Sequence, residues 1–212
     1  MHPIDYSGVI LAGGQGKRLG NQDKGLTVLA NRPLIAYVID RFSPQLDSIS
    51  ISANQNISEY GNFGYEVLED SAGGYDGFAG PLAGLLVGMR SAFFALNNEP
   101  NGGEALVVVP CDAPLLPKDL VSRLVEVAGN SKSMAVIPHD GTRLQPLFGL
   151  YSLEALSSLE EFLKSGQRKV GIWVESLSPE VADFSDQPAA FLNINSQEEL
   201  LDAENRMNET SV

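Results

Sequence analysis

Leu11-Ala12-Gly13-Gly14-Gln15-Gly16-Lys17-Arg18-Leu19-Gly20-Asn21-Gln22-Asp23-Lys24 joins a short apolar run to a glycine-dense basic loop. The run that feeds it, Ser7-Gly8-Val9-Ile10-Leu11, has the length and character of a buried parallel strand. Glycines after such a strand remove the Cβ atoms that would hold a polyphosphate away from backbone N–H groups. Lys17, Arg18 and Lys24 add positive charge. The competing reading is a glycine-rich turn with solvated basic side chains. Two common phosphate motifs are absent: no Ser or Thr follows the lysine as in a P-loop, and Gly14, Gly16 and Gly20 are spaced more widely than a dinucleotide fingerprint requires.

Around this loop, short apolar runs alternate with helical patterns. Strands are expected near Gly8–Leu11, Ile49–Ala53, Glu66–Leu68, Ala105–Val109 and Ala135–Ile137, which indicates a parallel α/β sheet. A helix is expected from Pro33 to about Phe42, because a proline in the first turn forfeits no hydrogen bond. Another begins at Pro81, where Leu82, Leu85, Leu86, Met89 and Phe93 mark one apolar face. Gly84 and Gly88 on that helix suit close packing or substrate approach better than helix formation. Further along, Gln145–Tyr151 reads as a strand after the Asp140-Gly141 turn, with helices at Glu154–Lys164 and Val170–Leu177. Ser196-Gln197-Glu198-Glu199 reads as a capping box opening a terminal helix toward Met207. Ala72–Gly80 and Asn97–Gly103 are loops by composition.

The 212 residues suit one domain, 1–212, with 1–6 and 208–212 expected to be flexible. The 27 acidic against 14 basic residues give a formal net charge of -13, which disfavours nucleic-acid and anionic-membrane partners. An anionic substrate must then meet a local basic patch or a bound cation. Cys111 is the single cysteine, which excludes an intramolecular disulfide and a multi-cysteine zinc site. No basic leader or long apolar span is evident, so a cytoplasmic protein is expected.

In an open α/β sheet, ligands bind beyond the carboxyl ends of the strands. Ser52-Ala53-Asn54, Glu69-Asp70 and Pro110-Cys111-Asp112-Ala113-Pro114 should therefore gather at one rim with the glycine loop. Asp112, emerging from Leu106-Val107-Val108-Val109, is placed to hold Mg2+ against a triphosphate, or else is a turn aspartate before Pro114. Asp70, before Ser71 and a glycine-rich loop, is a candidate at the same rim, with a plain turn aspartate as the stronger reading. Cys111 reads as a buried filler rather than a nucleophile, and His139 as a surface turn residue. Lys24 reads as an exposed loop lysine whose removal spares the fold.

The runs LAGGQGKRLGNQDKG, EDS, GPLAG, PCDAP and FLNIN, in this order across nearly the whole chain, resemble the molybdenum cofactor guanylyltransferase family. The resemblance implies a single-domain, Rossmann-like nucleotidyltransferase fold with a mostly parallel sheet flanked by helices. It implies transfer of GMP from GTP to molybdenum-bearing molybdopterin, with release of pyrophosphate and Mg2+ as cofactor. Other cofactor-biosynthesis proteins are expected as transient partners. By the same resemblance, Lys24 binds the nucleotide phosphates; Leu11, Ala12, Gly13 and Gly14 form the nucleotide-binding turn; Arg18 and Asp70 contact the nucleotide; and Asp112 binds both nucleotide and Mg2+. Asn193 and Asn195 match asparagines on the pterin side. Ser52 stands where the family commonly has an asparagine, and offers one hydroxyl in place of an amide. Ala72–Ala79 is longer than the family norm. Rival readings are a related enzyme using CTP or a sugar phosphate, a nucleotide-binding regulatory module without turnover, and a structural interaction protein.

Overall fold

A computed structural model describes residues 6–13, 23–69, 80–98, 104–129, 131, 133–196 and 198–202. In chain order the elements are β1 (Tyr6–Leu11), β2 (Val28–Leu29), β3 (Arg32–Pro33), α1 (Leu34–Phe42), β4 (Ser48–Ser52), α2 (Ile57–Gly61), β5 (Glu66–Leu68) and α3 (Pro81–Asn98). They continue as β6 (Ala105–Pro110), α4 (Leu120–Ala128), β7 (Ala135–His139), β8 (Leu150–Ser152), α5 (Leu156–Lys164), α6 (Val170–Ser176) and β9 (Glu180–Asp183). The main sheet has seven strands in the order β5-β4-β1-β6-β8-β7-β9, parallel except where β8 pairs antiparallel with β6 and β7.

Alternation along the central strands divides the core into two layers. Ile10, Val107 and Val109 face Ile35, Val38, Phe42, Leu120 and Leu124 of α1 and α4. Val9, Leu11, Leu106 and Val108 face Leu82, Leu85, Leu86 and Met89 of α3, and the same layer continues to Tyr151 and Trp173, whose rings stack at 5.3 Å. All six residues of β6 are buried, as a central parallel strand covered on both faces requires. Gly88 lets α3 lie on the sheet, since a Cβ there would stand 3.1 Å from both Val9 Cγ1 and Leu106 Cδ2.

Several expectations are corrected. The first helix starts at Leu34, because Pro33 is extended and pairs with Val28 in a β2–β3 hairpin. Phe93 is 47% exposed despite its phase, whereas Ala92 beside it is buried. At 1.5 Å per residue, the 18-residue α3 is longer than strands of six residues or fewer, and Phe93 and Phe94 toward its end are exposed. Asn97 and Asn98 belong to that helix rather than to a loop, while 99–103 and 72–79 lie outside the described residues. Gln145–Tyr151 is not one strand: Pro146–Phe148 forms a 3-10 turn and only Leu150–Ser152 pairs. Pro146 supplies no N–H for a ladder. Glu154 and Ala155 lie in a separate 3-10 turn before α5. His139 ends β7 rather than sitting in a turn, and its Nδ1 accepts the Gly141 N–H at 3.1 Å. Ser196 Oγ accepts the Glu199 N–H at 3.2 Å, but Glu199 reaches back to the N–H of Asn195 (2.6 Å) instead of that of Ser196. Helical residues continue to 202, and the expected extension toward Met207 lies outside the described residues. Tyr6 opens β1 instead of a flexible end; 1–5 and 208–212 lie outside the described residues. No helix among the described residues is long and apolar enough to cross a membrane.

Candidate active site

Parallel pairing of β1 with β4 and β6 brings three strand ends to one edge, because the register sets Leu11 beside Ser52 and beside Pro110. Two backbone bonds extend that alignment past the strands: Ala12 N–H to Ser52 O at 2.7 Å, and Cys111 N–H to Leu11 O at 3.1 Å. Beyond this edge opens a cavity of about 250 Å³. Leu11 and Gly13 line it at and just past the end of β1, Ser52 at the end of β4, Pro110, Cys111 and Asp112 at and just past the end of β6, and Gly80, Pro81 and Gly84 at the approach to and start of α3. Lys24, Leu147 and Asn193 complete the wall. Gly84 permits the close approach of α3, since a Cβ there would lie 2.6 Å from Ser52 Oγ and 2.8 Å from Leu11 Cδ2.

Lys24 and Asp112, 88 residues apart, meet across this cavity with Nζ 3.0 Å from Asp112 Oδ2. Lys24 Nζ also donates to Asn195 Oδ1. The lysine is not the exposed residue expected: its side chain is 25% exposed and that of Asp112 only 7%. Burial pushes the Asp112 carboxyl above its ordinary value, and the Lys24 ammonium offsets this only in part. A buried carboxylate in that state gains from any further cation. Asp112 is held from the far side of the chain by the Ile194 N–H, which donates to its carbonyl at 2.8 Å. That bond brings Asn193 and Asn195 to the cavity. Asn193 Oδ1 is buried with no hydrogen-bond partner among the described residues, leaving an acceptor for a ligand donor at the cavity wall.

The placements of the sequence candidates differ. Leu11, Gly13, Lys24, Ser52, Asp112 and Asn193 line the cavity, and Asn195 reaches it through Lys24. Ala12 is buried and contributes backbone alone, bonded to Ser52. Gly14, Arg18 and Asp70 lie outside the described residues. The cavity adds Gly80, Pro81 and Leu147 to the sequence candidates. The GPLAG run contains the first two, whereas nothing in the sequence marks Leu147. Cys111 is buried, and burial, with the charges of Asp112 and Asp23, pushes its thiol well above the usual range. It is unsuited to nucleophilic work. Among the described residues no group of three or more His, Cys, Asp or Glu stands together as a protein-only metal cage.

A family model described as a MobA-like NTP transferase domain matches residues 8–180. The molybdenum cofactor guanylyltransferase of Shewanella sediminis is 41% identical over 196 residues, covering 92% of this chain and 94% of its own. That of Shewanella piezotolerans is 40% identical, covering 92% of this chain and 90% of its own. Among solved structures, the molybdopterin-guanine dinucleotide biosynthesis protein A of Archaeoglobus fulgidus superposes with a TM-score of 0.77 at 22% identity, over 96% of this chain and 99% of that one. This last likeness concerns the fold.

Proposed function

The chain belongs to the MobA-like NTP transferase family, and from that premise we propose that it transfers GMP from GTP to molybdenum-bearing molybdopterin, releasing pyrophosphate. Identity of 40–41% over 92% of the chain to relatives named molybdenum cofactor guanylyltransferase supports the substrates. The geometric observation that carries the reading is the Lys24–Asp112 pair, 3.0 Å apart in a cavity that receives the end of β1.

In this reading the turn Leu11-Ala12-Gly13-Gly14 offers its backbone to the nucleotide, Ser52 lines the same side, and Arg18 and Asp70 add contacts. Lys24 carries three N–H donors and no acceptor, so it can exchange Asp112 and Asn195 for triphosphate oxygens. Asp112 is the residue to hold Mg2+. Its carboxylate is a hard oxygen donor at the cavity wall, and Mg2+ commonly takes one or two carboxylates together with substrate phosphates. When bound, the cation supplies charge neutralisation at the phosphates. The pterin phosphate oxygen attacks the α-phosphorus in line, a new P–O bond forms, and the bond to pyrophosphate breaks. The nucleophile is already ionised near neutral pH, so no general base is required, and positioning by Lys24 and the loop amides carries the chemistry. Asn193, with its unpartnered buried Oδ1, and Asn195 face the pterin-bearing substrate. The cytoplasm is the compartment that suits these substrates, with transient contacts to other cofactor-biosynthesis proteins.

A thermal-shift panel of GTP, CTP, ATP and UTP with and without Mg2+ tests the assignment, since selective binding raises the melting temperature. GTP with Mg2+ should give the largest shift. An equal or larger shift with CTP would move the protein to cytidylyl transfer.

A further inference from the structure

Lys24 is flanked by two residues fixed from outside the cavity. Asp23 is 8% exposed, and its carboxylate accepts three hydrogen bonds. Oδ1 takes the Gly25 N–H at 3.1 Å and the Tyr60 hydroxyl, while Oδ2 takes Asn56 Nδ2 at 2.9 Å. None of these bonds involves the Lys24 ammonium, which goes to Asp112 and Asn195. Asn56 and Tyr60 belong to the start and body of α2, and Asn56 itself sits in the left-handed region at φ 53°. In that conformation its amide does not cap the helix, and it donates to Asp23 instead. Gly25 is pressed against the same group, because a Cβ there would lie 2.5 Å from the Tyr60 oxygen and 3.2 Å from Cys111 Sγ. The Asp23 carbonyl also accepts the Thr27 hydroxyl at 3.1 Å, so the turn is held at both ends.

We propose that Asp23, gripped by Tyr60 and Asn56, is a positioning residue that fixes the backbone of Lys24 so that its ammonium reaches Asp112 and the nucleotide phosphates. Burial of a carboxylate is costly unless its oxygens are filled, and a filled one specifies a single arrangement of its donors. A lysine has four rotatable side-chain bonds, so rigidity must come from its backbone. Burial first, and then the neighbouring Cys111 and Asp23, push the Tyr60 phenol far above its usual range. It therefore stays protonated and remains a donor across the working pH. The turnover part of the inference rests on the guanylyl-transfer reading; the placement of Lys24 does not.

The test combines two readouts on Asp23→Asn, Tyr60→Phe and Asn56→Ala. The first is acetylation of Lys24 by acetic anhydride, followed by mass spectrometry, with the exposed Lys118 and Lys164 as internal references. Loosening the turn should free the ammonium and raise Lys24 labelling at least about fivefold in Tyr60→Phe, since a weakened pair exposes the amine more often. The second is turnover with GTP in the presence and absence of Lys24→Ala. Asp23→Asn should lower kcat/KM by about a hundredfold and Tyr60→Phe by about tenfold, as misplacement of a reacting contact by about an ångström does. On the Lys24→Ala background, both factors should collapse to below about twofold, because the group they act through is gone. If Asp23→Asn fails to fold, Tyr60→Phe and Asn56→Ala carry the test. Unchanged Lys24 labelling, or full additivity with Lys24→Ala, would overturn the proposal. Raised labelling in a protein that turns over no GTP would sustain the positioning role and remove the guanylyl reading alone.

Discussion

Replacing Lys24 by alanine should destabilise the fold in a pH-dependent way, because it strands Asp112. The pair is 3.0 Å long, with the carboxylate side chain 7% exposed and the lysine 25% exposed. At an effective dielectric constant near 20, the gross attraction at that distance is about 5 kcal/mol, much of it offset by desolvation. Removing one partner of a buried pair costs about 3–5 kcal/mol. The partial exposure of Lys24 admits water to the vacated space, so about 1–3 kcal/mol is expected here. For a chain of this size each kcal/mol shifts Tm by about 2–4 °C. The sign of the pH effect follows from burial, which already raises the Asp112 pKa in the intact pair. Without Lys24 the folded-state value rises further, so the penalty is complete above that value and vanishes as pH falls toward the unfolded value. Urea titrations of the variant and the parent at about pH 8 and pH 5 should give a gap that narrows at the lower pH, with unchanged m. Adding Asp112→Asn should restore most of the loss at pH 8. A variant as stable as the parent at pH 8, or a gap that ignores both pH and the second substitution, would refute the reasoning.

Asp112→Asn alone should lower turnover at least about a hundredfold, or ~2.7 kcal/mol of transition-state stabilisation, with partial recovery at high Mg2+. It should not lower the urea midpoint, since it removes a buried charge and still offers Lys24 an acceptor oxygen. Gly84→Ala would gain about 1 kcal/mol of helix propensity but set a Cβ 2.6 Å from Ser52 Oγ, and overpacking costs about 1–3 kcal/mol. The net result expected is a lower Tm and weaker GTP binding by calorimetry; a stabilised variant with parental affinity would show that α3 does not press on the site. Asp140 accepts the N–H groups of Thr142 and Arg143 and the amide of Gln145. Burial opposes its charge, yet these bonds together hold its carboxyl below the ordinary value. Its stabilisation is present above the unfolded-state pKa and lost as pH falls through the folded one. Asp140→Asn should therefore flatten the acid limb of the urea midpoint below about pH 4, and an unchanged limb would contradict this.

What could be read in advance followed local pattern. Five consecutive apolar residues announced β6, and the spacing of Leu82, Leu85, Leu86 and Met89 announced the buried face of α3. The β2–β3 hairpin gave no such sign: its turn places Ala30 at φ 44° and Asn31 at φ 67°, and alanine is not a residue that marks a left-handed turn. The 3-10 turn at Pro146–Phe148 was hidden in an apolar run that reads equally as a strand. At the site, Lys24, Asp112 and Asn193 were marked by their motifs. The grip on Asp23 was not, because Asn56 and Tyr60 lie 33 and 37 residues away and their local pattern is that of a short helix. Nor could sequence show that Lys24 is half-buried, since the contacts that cover it come from residues 88 and 171 positions distant.

The most direct measurement is product formation: the purified protein is incubated with molybdenum-charged molybdopterin, Mg2+ and GTP radiolabelled at the α-phosphate, and the label is followed by chromatography. The label should move into a molybdopterin-guanine dinucleotide in step with pyrophosphate release, and α-labelled CTP should yield at least about tenfold less, a preference of roughly 1.4 kcal/mol. Label that stays in GTP, or that moves as readily from CTP, would contradict the account.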